Sequence, residues 1–238
     1  MTVDPKTLVD SRIQLHWASQ LLGAAADAKL EKEEDDSQSN LGWDSISRRL
    51  EGRIDCAIDL QQFTLDHGER SLDLEGNTLE AARNWLSNSI NLEINFREYE
   101  MPEHPVANGA EFAMDMCSLD AMADWFSLAY QVLEKYGEPR VWPHHFDLGF
   151  WSPGNIDGRS IGGGFSLGDQ YYEQPYFYVN PYGIDRTAKL PHLPIGHWTG
   201  HWFGAVVTAE ELGEDDTVDS NANYFVNAAV ATITKLID

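Results

Sequence analysis

Between residues 119 and 136 the apolar side chains Met122, Trp125, Phe126, Ala129, Val132 and Leu133 recur at three- and four-residue spacing, and no other feature constrains the fold as tightly. Residues so spaced share one face of an α-helix, and a stripe this wide demands a partner surface. Ser118 is placed to cap the start and Gly137 to end it. A second stripe of Leu8, Ile13, Leu15, Trp17, Ala18, Leu21, Leu22 and Ala25 predicts an amphipathic helix over residues 7–30. Asn77-Thr78 followed by Glu80 opens a helix running to Ile90, and a closing helix is expected over residues 221–237.

The segments between these helices follow a period of two. Ile54, Cys56, Ile58 and Leu60 alternate with polar or small residues, and Asp66-His67-Gly68-Glu69 turns the chain into a hairpin. Residues 45–50 and the run Leu92, Ile94, Phe96 are further strand candidates. In the second half, residues 139–151, 160–166, 176–180 and 202–208 read as strands separated by Gly, Pro and Asp. The expected class is α+β, antiparallel sheets with flanking helices, in two similar α-β halves packed as one unit. Residues 1–100 form the first half, 101–117 a connection rich in Pro, Asn and Gly, and 118–238 the second half, which carries the candidate site. Trp17 and Trp125 hold comparable places in the two leading helices, which common α+β construction explains.

Charge excludes several partners. The 39 acidic residues outnumber 16 basic ones, giving a net charge of −23 spread over the whole length. Such a chain repels polyanions, so nucleic acid and anionic membrane surfaces are not expected partners. Few lysines among many aspartates would suit a saline habitat. Residues 1–10 hold no basic stretch leading into an apolar run, and nowhere do about eighteen apolar residues follow one another, so a soluble cytoplasmic protein is expected. Cys56 and Cys117 lack metal-type spacing and are expected as buried small hydrophobes in a reducing compartment.

Histidines and tryptophans concentrate between residues 142 and 202, beginning with Trp142-Pro143-His144-His145-Phe146-Asp147-Leu148. On a regular strand His145 and Asp147 would share a face opposite His144, so that Asp147 could orient His145 as a general base. His197 and His201, four apart, share a face as strand or as helix, and together with His145 and Asp147 they could complete a divalent zinc or iron shell, with Asp169 or Glu173 as alternatives. His16, Trp142, Phe165, Asp169 and Tyr178 are candidate ligand-binding residues around the same site. Architecture competes with each assignment, because a buried histidine held by a carbonyl and a carboxylate is a common structural device. Gly162-Gly163-Gly164 lacks the spacing and the lysine of a phosphate loop, and better suits close approach of a ring such as Trp151 or Tyr178.

These motifs, together with Leu15-His16-Trp17, Asp66-His67, Met101-Pro102-Glu103, Gly164-Phe165-Ser166 with Gly168-Asp169, and Pro175-Tyr176-Phe177-Tyr178-Val179, resemble a bacterial family of proteins whose domain has no assigned biochemical role. The resemblance covers most of the chain and implies no reaction. The expected function is binding of a small molecule in an aromatic, histidine-lined pocket, with acid-base chemistry open to it. A metal-dependent hydrolase-like enzyme and a non-enzymatic association module, using Tyr171, Tyr172 and Tyr182, are the alternatives.

Overall fold

In the computed structural model, which describes residues 3, 5–185 and 190–237, the protein is α+β with two antiparallel sheets. It divides into two compact units, Thr2–Ser127 with Arg140–Phe146, and Leu128–Pro139 with Asp147–Asp238. The division does not fall at 101–117. That segment is stitched to the N-terminal unit: Trp17 Nε1 donates to the Pro102 carbonyl at 3.0 Å, Gln14 exchanges two hydrogen bonds with Ala113, and Phe112 packs edge-on against Phe63.

The N-terminal unit is built on α1 (Pro5–Lys29) and a meander of β1 (Gly42–Asp44), β2 (Arg49–Glu51), β3 (Cys56–Asp59), β4 (Thr64–His67) and β5 (Arg70–Asp73), hydrogen-bonded in that order. Register aligns Trp43, Leu50, Ile58, Leu65 and Leu72 in one row across the five strands, so alternation hands the helix a continuous apolar band. Residues 45–50 do not form one strand. They span the turn between β1 and β2, where Asp44 Oδ1 accepts the Ile46 N–H at 2.8 Å. Leu92, Ile94 and Phe96 pair with no strand among the described residues, although Ile94 is buried.

Helix α1 departs from the amphipathic expectation. Ser11, Arg12, Gln14, His16, Ser19 and Gln20 are buried along with the apolar stripe, so it is a central helix whose polar positions are small or find partners inside. Helix α2 (Leu79–Ile90) begins as expected, with Thr78 Oγ1 accepting from the Ala81 N–H. Helix α3 (Met116–Leu133) starts three residues earlier than its stripe suggests, because Asp115 and not Ser118 caps it: Asp115 Oδ2 accepts the Ser118 N–H at 2.7 Å. Strand β6 (Arg140–Trp142) lies beside Leu41 through a reciprocal pair of backbone bonds with Val141.

The C-terminal unit holds β7 (Asp147–Pro153), β8 (Ser160–Ser166), β9 (Tyr176–Tyr182), β10 (His197–Trp198), β11 (Ala205–Thr208), the short α4 (Ala209–Leu212) and α5 (Asp215–Ile237). Its strands run in the order β10-β11-β9-β8-β7, every pair antiparallel. Alternation sorts the side chains cleanly. Phe150, Ile161, Phe165, Phe177, Val179 and Val207 take one face, and α5 packs there with Phe225, Val226, Ala229 and Ile233 buried. The other face carries Asp147, Ser166, Tyr176, Tyr178 and Asn180, and that polarity marks it for attention.

Candidate functional site

The most conspicuous sequence motif folds differently from its expectation. Residues 143–146 form a turn between β6 and β7, closed by the Trp142 carbonyl accepting the Phe146 N–H at 2.7 Å, with Phe146 at φ 55°. His144 and His145 therefore do not alternate across a strand. Their rings lie 4.3 Å apart, His145 exposed and His144 half-buried against Tyr99 and Trp142. The carbonyl of Pro143 draws the turn onto α1, accepting from His16 Nε2 and from Gln20 Nε2, each at 2.7 Å. His16 also stacks on Phe146 with centroids 5.1 Å apart. Burial lowers the His16 pKa to about 4, so the ring is neutral, carries its proton on Nε2 and acts as a clamp.

Asp147 belongs to the other unit, where it opens β7, so the period-two argument that paired it with His145 loses its basis. Its Oδ2 accepts the Tyr178 hydroxyl. Burial and the adjacent carboxylate push that phenol well above its ordinary range, which keeps it a neutral donor. Two residues back along β9, Tyr176 donates to Asp169 Oδ2 at 2.7 Å and is raised for the same two reasons in the same order. Glycine in β8 makes this layer possible. A Cβ on Gly164 would stand 2.6 Å from both the Leu148 carbonyl and the Tyr178 hydroxyl. Phe165 lies on the opposite face, wholly buried beside Phe177 at 5.0 Å, and belongs to the core under α5.

Asp169 has a second task. Its Oδ1 accepts the N–H groups of Tyr171 and Tyr172 at 2.7 and 3.0 Å, which fixes the loop between β8 and β9 and aims Tyr172 at His197. The Tyr172 hydroxyl is 3.0 Å from His197 Nε2 and 2.9 Å from Thr199 Oγ1, and His197 Nδ1 is 3.0 Å from Glu211 Oε1. A carboxylate only accepts, so in the neutral imidazole Nδ1 carries the proton and the Nε2 lone pair faces the phenol. The single Tyr172 proton donates to Thr199 Oγ1, and once turned to Nε2 it puts carboxylate, imidazole and hydroxyl in the order that lets a histidine take a proton from a hydroxyl. Glu211 is held by the start of α4, where it closes a capping box with Thr208, so one oxygen serves the fold and the other serves His197.

Around this chain stand Tyr171, His201 and Trp202. The rings of Tyr171 and His201 lie 5.0 Å apart, Tyr172 meets Trp202 edge-on at 6.0 Å, and Trp202 Nε1 donates to Asn180 Oδ1 at 2.9 Å. His201 is exposed, and its backbone N–H is anchored on Thr199 Oγ1. Among the described residues no group of three or more His, Cys, Asp or Glu side chains could hold a metal ion, so the shell drawn from His145, Asp147, His197 and His201 is not gathered.

Two hollows among the described residues lie elsewhere. One of about 230 Å³ is lined by Tyr136, Phe150, Ile161, Val230 and Ile237 on the α5 side of the C-terminal sheet. The other, among Gln20, Asp27, Arg97, Tyr99 and Pro143, has about 10 Å³ and room for a single water. We place the candidate site at the Tyr172 cluster despite this, because the chemistry is there. The chain matches no family model, no curated protein and no solved structure. Glu211 and Thr199 escaped the sequence reading. The pattern Thr208-x-x-Glu211 was legible as a capping box, but nothing in the sequence says that its carboxylate also reaches His197.

Proposed function

We propose that the C-terminal unit binds a small molecule against Tyr171, Tyr172, His201 and Trp202, and that the Glu211–His197–Tyr172 chain supplies acid-base chemistry to it. The chain carries the reading. A structural histidine needs one partner per nitrogen, and His197 has both, yet about two fifths of its side chain is open to solvent, where a reactant can approach. In this reading Asp169 and Tyr178 hold the loop and the sheet face around the ligand, and Tyr172 is the group that touches it. His16, Trp142, His144 and His145 belong to the histidine turn and play no part.

A ligand-detected NMR screen of uncharged and cationic aromatic fragments against the full chain tests the proposal. Tyr172→Phe keeps the ring and removes the hydroxyl, whereas Trp202→Ala removes a wall. Fragments should bind the wild type and weaken by about tenfold in Trp202→Ala and in Tyr172→Phe. Fragments that bind all three proteins alike would place the ligand elsewhere.

A further inference from the structure

Towards the far end of the same sheet face the buried polar layer gives way to exposed aromatic rings. Register places Trp151, Gly162 and Asn180 in one row across β7, β8 and β9. Trp151 is 62% exposed and Tyr182, two residues along β9 from Asn180, is 49% exposed. The two are not isolated on a rough surface. A Cβ on Gly162 would meet the Tyr182 ring at 2.7 Å, so the ring lies over a glycine floor between the strands that carry Trp151 and Asn180. Strand spacing sets the distance from Trp151 to Asn180 at about 10 Å.

The polar groups along this row keep unused donors. The Trp202 indole can only donate, and it donates to the Asn180 side chain, which identifies that atom as Oδ1 and leaves the Nδ2 amino group without a hydrogen-bond partner among the described residues. Trp151 Nε1 and the Tyr182 hydroxyl likewise make no hydrogen bond there. Two exposed rings and three unused donors match one ligand chemistry. A pyranose presents C–H groups to an aromatic face and hydroxyls at its rim, which accept from N–H and O–H groups. Trp, Gly and Asn supply no charge to this row, and the chain's net charge of −23 opposes an anionic ligand.

We propose that Trp151, Tyr182 and Asn180 form a platform for an uncharged carbohydrate chain. The platform does not depend on the acid-base chain at His197, and the two can succeed or fail separately. Affinity electrophoresis of the full chain through gels containing soluble starch, a galactomannan, a neutral β-glucan or carboxymethylated β-glucan tests it. At least one neutral polysaccharide should retard the wild type, and Trp151→Ala and Tyr182→Ala should each weaken that binding by about tenfold. Tyr172→Phe should migrate as the wild type does. Trp151 is exposed, so Trp151→Ala decides alone if Tyr182→Ala melts early. Absence of retardation in every neutral gel, retardation unchanged in Trp151→Ala, loss of retardation in Tyr172→Phe, or stronger retardation by the carboxymethylated glucan would each overturn the proposal.

Discussion

His16 shows how one buried side chain makes the N-terminal unit sensitive to acid. Its pKa is about 4 in the fold against 6.5 for the free group, so between those values the unfolded chain binds a proton that the folded chain refuses. Stability is therefore full above about pH 6.5 and is lost as pH falls towards 4. From pH 7 to pH 5 the loss should be about 2 kcal/mol. Urea denaturation at both values measures it, and His16→Gln should flatten the difference; an equal slope in the variant would assign the acid response to other groups. The cysteines divide in a way the sequence reading did not foresee. Cys56 is buried, its thiol pushed up to about 12 by burial and by Asp55, whereas Cys117 is exposed on the first turn of α3. Ellman's reagent should titrate one thiol in the folded protein and two in denaturant. Two fast thiols would contradict the burial of Cys56.

At the scale of elements, the sequence was informative wherever local chemistry and packing agree. Strand β8 matches its expected bounds at Ser160 and Ser166, and the Thr78 cap and the hairpin at Gly68 lie where turn and cap residues put them. The reading failed where a long-range contact decides. Residues 139–151 have the alternation of one strand, yet the Pro143 carbonyl finds donors on a helix more than a hundred residues away, and a turn forms. The glycines of β8 were expected to admit a ring such as Trp151 or Tyr178; Gly164 admits Tyr178, while Phe150 and Tyr182 and not Trp151 approach the other two. Gly164→Ala should cost on the order of 1–3 kcal/mol, because its Cβ collides with backbone as well as with the phenol. Gly200→Ala, with nothing within 4 Å of its Cβ, should stay within about 0.5 kcal/mol of wild type. Thermal melts of the two variants provide the check, and equal losses would contradict the close approach.

For the whole molecule, α+β organisation followed from periodicity, but the division into units did not, since it depends on which segments the fold gathers and not on their order along the chain. The charge of −23 has a consequence at this scale. Like charges repel most in the compact state, so raising salt from about 0.05 M to about 1 M should raise the melting temperature by several degrees as screening tightens. A flat or falling trend would show that local ion pairs such as Arg49–Asp66 outweigh the net repulsion. Among the described residues no helix is long and apolar enough to cross a membrane. The central claim is that ligand and chemistry meet at His197, and long-range ¹H–¹⁵N correlation of the histidine rings, recorded as fragment hits are titrated into the full chain, tests it most directly. We expect His197 in the tautomer protonated at Nδ1 and ligand-dependent shifts at His197 and His201. The opposite tautomer, or shifts confined to His16, His144 and His145, would contradict it.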